Sequence, residues 1–390
     1  MNAYALSARR SIAGMSLVEL MVAMVIGMIL MLGVVQIFMA SHAASRLSEG
    51  AARTQENARF ALDFLERDIR MAGHMGCVND QAHVIKDSQS IRVHVAGITE
   101  GDGSPLDFAI PIQGYEAEGT APGDALTIGE NWSAAANTPG AISGLTPEPI
   151  GGSDILMMRY LSSEGSPVLS IANGTDSEVT IASDAAARLS AGTATTPSLF
   201  AVSDCSRVDI FAGSLAENTI TATATNLGTY AANNAVTMVY RAEAVAYYVA
   251  TNPANEPSLY RARANGDGSF ETGEELVEGI ESLQFLYGLD SEENISSVDP
   301  PTGNITIQRT ASDVSTAADE TAVAAWRRVG MVQLGILVRS PQPASAEQAD
   351  TNVAQLGVLG VGINPPATND RRFRSSYEVS VALRNRLFGN

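Results

Sequence analysis

The chain has 390 residues, 45% of them hydrophobic and 17% charged, which is room for one large domain or two modest ones with an ordinary buried core. Its formal net charge is −19, and so acidic a chain has no long-range attraction to phosphate backbones, which sets general nucleic-acid binding aside. The two cysteines, Cys77 and Cys205, allow one disulfide if they lie outside the cytoplasm, closing a loop that contributes up to about 4–5 kcal/mol in the chain-entropy picture; otherwise they are two buried thiols.

In chain order, residues 1–14 are short and polar, carry Arg9-Arg10 and no acid, and end at Gly14. Met15-Ser16-Leu17-Val18-Glu19-Leu20 follows and opens an apolar run to Ala40. About two dozen residues with one charge suffice to cross a bilayer as a helix, so a span is expected over residues 17–40. The arginine pair predicts that its amino-terminal end stays in the cytoplasm and the rest of the chain lies outside. A cleaved secretory signal, with Ser41-His42-Ala43 as its cut site, fits worse: its apolar core would be about 7–15 residues and would hold no carboxylate.

Glu19 stands inside that run, where an unpartnered carboxylate costs about 2.5–3.5 kcal/mol. It follows Met15 by one helical turn, about 6 Å along the axis. Cutting after Gly14 would create a positive amine at nearly that depth, and Glu19 of one subunit could then neutralise the amine of a neighbour and fix their stagger. The plainer reading is a glutamate that reaches back to the cytoplasmic surface.

The order of Arg9-Arg10, Gly14, Met15, Glu19 and the apolar run resembles the class III signal of type IV prepilins and pseudopilins. The resemblance implies a prepilin peptidase that cuts between Gly14 and Met15 and methylates Met15, although the family most often has phenylalanine at that position. It further implies residence in the inner membrane as a single-pass precursor and later in an extracellular pilus.

Beyond Ser41 no proline interrupts the chain until after Met75, and Ala51, Ala58, Leu62, Leu65, Ile69 and Ala72 recur at helical spacing. Glu49 with Arg53 and Arg59 with Asp63 support a solvated opposite face. One helix from about Ser16 to Met71, roughly 80 Å long, is expected, with Gly73-His74-Met75-Gly76 as its terminus. The organisation read from the sequence is a leader at 1–14, a helix at 15–76 with its amphipathic outer half at 41–76, and a β-rich body at 77–390.

In the body the period turns to alternation, with strands expected at Ile91–Ala96, Ile155–Leu161, Val179–Ala182, Val208–Ala212, Val236–Thr251, Ile280–Tyr287, Val329–Arg339 and Tyr377–Leu383. Turn-rich stretches at Gly97–Gly152, Ser183–Ser198 and Ser340–Asp370 are read as long loops. Ser153-Asp154-Ile155-Leu156-Met157-Met158-Arg159-Tyr160, Ser203-Asp204-Cys205-Ser206, Leu259-Tyr260-Arg261, Leu276-Val277-Glu278-Gly279-Ile280-Glu281, Trp326-Arg327-Arg328-Val329, Arg372-Phe373 and Leu383-Arg384-Asn385 resemble PilW-type minor pilins. Cys77 and Cys205 also sit where PilW-like proteins carry theirs.

Sites of chemistry are sparse. His42, His74, His83 and His94 form no His-Glu-x-x-His, and no Cys-x-x-Cys, Gly-x-Ser-x-Gly or phosphate-cradling loop occurs. Asn265, Asp267 and Glu274 would occupy the third, fifth and twelfth positions of a calcium loop, but Arg263 at the first repels the ion, so a hairpin turn is the expectation. Asp290, Glu292 and Glu293 read as a solvated loop, and Trp132, Trp326 and Tyr247-Tyr248 as core.

The expected fold is therefore α+β, a type IV pilin with a long amino-terminal helix packed on an antiparallel sheet and long loops. No enzyme activity, metal or cofactor is expected. The function implied by the resemblance is structural: a minor pilin that primes pilus assembly at the tip, with other minor pilins, the major pilin, the inner-membrane assembly platform and a tip adhesin as partners. The alternatives are a J-like minor pseudopilin of a type II secretion system and a periplasmic binding protein or enzyme that uses the helix only as an anchor. Mass spectrometry of the mature amino terminus is expected to show methylated Met15; an intact Met1 in peptidase-positive cells would refute the processing.

Overall fold

The computed structural model describes residues 16–78, 90–127, 133–134, 142, 144–191, 196–295, 299–344, 356–364 and 370–385. It begins with a single helix, α1 (Leu17–Met71), of 55 residues, long because no proline and only Gly27, Gly33 and Gly50 interrupt it. Its end is set by backbone that only glycine adopts without strain: Gly73 and Gly76 have φ of +76° and +67°, and a Cβ on Gly76 would lie 2.9 Å from the Tyr240 ring.

The body then supplies β1 (Ile91–Val93), β2 (Ile112–Tyr115), β3 (Ala125–Thr127), β4 (Ile155–Leu161), β5 (Ser166–Pro167), β6 (Ser170–Ala172) and β7 (Glu178–Thr180). A short α2 (Ala185–Leu189) leads to β8 (Leu199–Ser203), β9 (Val208–Ala216), β10 (Thr219–Ala222), β11 (Met238–Thr251), β12 (Pro257–Arg263), β13 (Glu274–Glu278), β14 (Ile280–Asp290) and β15 (Ile305–Arg309). Two small helices, α3 (Ala311–Val314) and α4 (Glu320–Arg327), precede β16 (Val329–Pro343), β17 (Leu356–Val358), β18 (Val361–Asn364) and β19 (Arg372–Ala382).

Among the described residues these strands form three sheets. The largest runs β13-β12-β11-β8-β9-β10-β7-β6, with β4 and β5 also pairing β11, β2 pairing β4, and β1 lying parallel to β9. The second is antiparallel in the order β15-β14-β16-β19, and the third joins β17, β18 and a parallel β3. The first two sheets face each other across a core that also receives the outer half of α1.

The period-2 alternation of strands assigns side chains to the two faces of the large sheet. Leu156, Met158, Val245, Tyr247 and Val249 point into the core shared with α1, while Ile155, Met157, Ala246, Tyr248 and Ala250 pack a second core behind it. Both faces of β4 and β11 are thus covered, which is why these strands read as apolar runs.

Buried polar groups bind the sheets together. Asp154, beside β4, accepts from the amides of Ala117 and Phe285 and from the Thr120 hydroxyl, each at 3.0 Å. Burial pushes its carboxyl up to about 7 against the pull of those donors. Arg159 is wholly buried and donates to the carbonyls of Ser104, Pro105 and Ile110 at 2.8, 2.7 and 2.6 Å, clamping residues 104–110 onto β4. Glu281 accepts from Arg339 and Arg374, and Glu256, in the turn between β11 and β12, accepts from Arg339 and Arg372, so one ionic lattice ties the large sheet to the second.

The sequence-based boundaries differ from these elements in informative ways. β2, β3, β17 and β18 fall inside stretches read as loop, and β2 is buried along its whole length despite its Pro- and Gly-rich surroundings. Short strands of this kind are held by pairing, β2 with β4 and β3 and β17 with β18, rather than by their own composition. On α1 the buried positions are Gly50, Thr54, Ala58, Ala61, Leu65, Asp68 and Ile69; Ala51 and Leu62 are half-buried at the margin of that face.

Trp326, on α4, is fully buried and meets the Tyr287 ring edge-on at a centroid distance of 5.0 Å. Trp326→Ala should cost about 3–5 kcal/mol, the range for emptying a large aromatic site, read as a lowered denaturation midpoint; an unchanged midpoint would contradict this packing.

Candidate assembly interface and helix anchorage

Between Leu17 and Glu49 no side chain of α1 is buried. The apolar side chains are bare, with Leu17 75% and Phe38 69% exposed, and this is the one described helix long and apolar enough to cross a membrane. Glu19 is exposed in the first turn, at the end where the helix dipole favours a carboxylate. Gly14 and Met15 lie outside the described residues.

From Gly50 onward the helix enters the body. Gly50 is a close-approach position, since a Cβ there would come within 2.7 Å of the Ala344 Cβ. Asn57 donates from Nδ2 to the Glu278 carbonyl at 2.9 Å, reaching the end of β13. Asp68 accepts from the Tyr247 hydroxyl at 2.7 Å and lies 3.6 Å from an Arg261 Nη, so a helix carboxylate is gripped by two strands of the large sheet. Burial and the adjacent Asp68 push the Tyr247 phenol well above its ordinary pKa. Burial alone would lower Arg261, but Tyr247, Glu274 and Asp68 together raise it above the ordinary guanidinium value.

The helix end is fastened as well. Asn385 donates to the carbonyls of Arg70 and Ala72 at 3.0 and 3.3 Å, satisfying groups that a helix terminus leaves open. Gly73 donates its amide to the Arg159 carbonyl at 3.0 Å. Cys77 and Cys205 form a disulfide, with a sequence separation of 128, that joins the helix exit to the turn between β8 and β9.

The candidate metal loop takes another form. Asn265 and Ser269 close a turn in which Asp267 accepts from the Ser269 amide at 2.9 Å, and Ala264 bridges Phe270. Glu274 accepts from Arg261 at 2.9 Å and lies 3.6 Å from Arg263, so it serves the anchorage of the sheet. Among the described residues no three His, Cys, Asp or Glu side chains gather as a metal site. Tyr247, Tyr248 and Trp326 are core; Trp132 and His83 lie outside the described residues. Asp290 accepts from the amides of Glu292, Thr302 and Gly303 and so organises its loop.

Sequence reasoning passed over the anchoring set itself: Asn57, Asp68, Arg261 and Asn385. Asp68 carried a signal, being an acid three residues beyond Leu65 and next to Ile69 on the apolar face. Its partners, at a separation of 179 for Tyr247, carried none.

The family described as Type IV Pilus-assembly protein W matches residues 246–385, and the prokaryotic N-terminal methylation motif matches residues 9–35. Over that carboxy-terminal part the chain is similar to the PilW-type pilus-assembly proteins. The PilW match covers β12 to β19 and residues 246–251 of β11, and so includes β13, β16 and β19, which lie against the outer half of α1. A type IV-like pilin from Thermus thermophilus is similar at 15% identity, over 48% of this chain and 84% of that one, with a TM-score of 0.20. No curated protein matches the chain.

The Cys77–Cys205 disulfide should contribute about 4–5 kcal/mol by restricting the unfolded ensemble. Cys77→Ser with Cys205→Ser, measured as full-length protein in detergent, is expected to melt well below wild type and to lose its sensitivity to reductant. Equal midpoints would show that the bridge adds nothing to stability.

Proposed function

We propose that this chain is a minor pilin that primes assembly of a type IV pilus and is incorporated into it, in a complex with other minor pilins at the tip. The observation that carries the reading is α1, one continuous helix whose first half is bare and apolar while its second half is locked into the body. Such a helix can hold the precursor in a bilayer and then pass into a filament core without refolding, because both are apolar surroundings that need its backbone bonds satisfied internally. The PilW match supports the pilus over the secretion alternative, and the methylation motif, common to both, supports the processing.

On this reading a prepilin peptidase cuts between Gly14 and Met15 and methylates Met15. Arg9-Arg10 keep the amino terminus in the cytoplasm, and the body lies beyond the inner membrane. Glu19 neutralises the amine of a neighbouring subunit, which penalises any stagger that leaves either charge unpaired in the apolar core. The assembly platform, the major pilin and a tip adhesin are the further partners. A body of more than three hundred residues would crowd a repeating lattice, which favours low copy number.

The test is a count of surface pili in an in-frame deletion strain whose retraction motor is also disabled. Pili are expected to vanish or become scarce, to return with the wild-type gene, and not to return with Glu19→Ala. Normal piliation in the deletion strain would refute the priming role.

A further inference from the structure

The sequence holds two Asn-Gly dipeptides, Asn173-Gly174 and Asn265-Gly266. In such a pair the asparagine carboxamide is open to attack by the next backbone nitrogen, because glycine has no side chain to block the approach and lets the backbone bend into it. Whether the reaction runs depends on whether that nitrogen is free and the chain there can move. The structure gives the two dipeptides opposite surroundings.

Asn265-Gly266 is held fast in the connection between β12 and β13, with Asn265 half-buried and Gly266 buried. The Gly266 amide donates to the Ser198 hydroxyl at 3.0 Å, so the attacking nitrogen is engaged. The Asn265 carboxamide donates to the Ser269 hydroxyl at 3.3 Å, and the Asn265 amide donates to the Ser269 carbonyl at 2.7 Å. Gly266 is also hemmed in, since a Cβ there would come within 2.6 Å of the Ser198 carbonyl oxygen.

Asn173-Gly174 has none of this. Both residues are exposed at the tip between β6 and β7. The strands pair as far as Ala172 with Glu178, and Asp176, accepting from the Ala224 amide at 2.7 Å, is the first residue fastened after the tip. Among the described residues neither the Asn173 carboxamide nor the Gly174 amide has a hydrogen-bond partner. Across the tip lies Gly228, where a Cβ would stand 3.1 Å from the Asn173 Cγ, so its lack of a side chain leaves the carboxamide room to turn. A tip with so few contacts opens at little cost in free energy.

We infer that Asn173 is a site of spontaneous modification, where the Gly174 nitrogen closes the carboxamide into a cyclic imide that water opens to an aspartyl or isoaspartyl residue, while the hold of Ser198 on Gly266 protects Asn265. In the first step the Gly174 nitrogen gives its proton to a solvent base and bonds to the Asn173 Cγ. The bond from Cγ to Nδ2 breaks, and the side-chain nitrogen takes up a solvent proton and leaves as ammonia. One water then adds across either imide C–N bond, so nothing is oxidised or reduced and water is the only co-reactant. Each event adds one negative charge, and the isoaspartyl product lengthens the main chain by one methylene. Among the described residues β6 ends its sheet and pairs only β7, so the longer chain shifts a terminal strand rather than a central one. The modification thus marks the age of a molecule that stays folded, and the inference does not depend on the filament reading.

The experiment incubates the purified full-length chain in detergent at mildly alkaline pH, where amide deprotonation is faster, and follows both sites by peptide mass spectrometry. The Asn173 peptide is expected to gain the mass of a carboxylate, and to accept a methyl group from an isoaspartyl methyltransferase, about tenfold or more faster than the Asn265 peptide, the factor set by opening one ordinary hydrogen bond. In the same chain unfolded by urea the two sites are expected to react at similar rates. Gly174→Ala is expected to slow the reaction at Asn173 and leave Asn265 as it was. Equal rates at the two sites of the folded chain, or an Asn173 reaction that Gly174→Ala does not slow, overturns the inference. A gap that persists undiminished in urea overturns it as well, because the difference would then belong to the flanking sequence and not to the fold.

Discussion

The structure depends on how α1 is shared between two environments by one continuous backbone. Its first half must be welcome in hydrocarbon, and its second half must be welcome against a β-sheet. Small residues solve the second problem: Gly50, Thr54, Ala58, Ala61 and Ala72 bring the helix close to its neighbours, and Leu65 and Ile69 fill the core. Apolar packing of this kind is non-directional and would tolerate sliding by a turn. Asp68 removes that freedom. A buried carboxylate is strongly destabilising away from its donors, so the Tyr247 hydroxyl and Arg261 specify one register for the whole helix.

The same device recurs through the body. Asp154, Arg159 and Glu281 are buried, and Glu256, Arg339, Arg372 and Arg374 half-buried, polar groups whose partners come from distant parts of the chain. They turn four arginines inward together with the carboxylates that pair three of them.

How much of this was legible from residues alone varies with the range of the interaction. The helix, its glycine terminus and the placement of Glu19 were readable because capping, periodicity and hydrophobic length are local. Strands buried on both faces, such as Ile155–Leu161, Ile280–Asp290 and Val329–Pro343, were readable as apolar runs. Leu199–Ser203 and Pro257–Arg263 escaped, the first because it sits against a turn-rich stretch, the second because its proline and two arginines mask the pattern. The anchoring pairs escaped entirely: nothing near Asn385 announces Arg70, 315 residues away. Segments that resemble PilW carry much of that hidden wiring, since Asp154, Arg159, Arg261, Glu281, Arg372 and Asn385 all lie within them.

The position of the disulfide has a mechanical consequence. Tension drawn along a filament enters this subunit through α1 and reaches Cys77 six residues after the helix ends. From there the covalent path steps directly to Cys205, and the 128-residue interval between them is left in parallel with a bond that cannot stretch appreciably. The backbone of strands β1 to β8 is therefore bypassed by that bond, and load reaches this part of the body through its contacts with neighbours, such as the Arg159 carbonyl that accepts from Gly73.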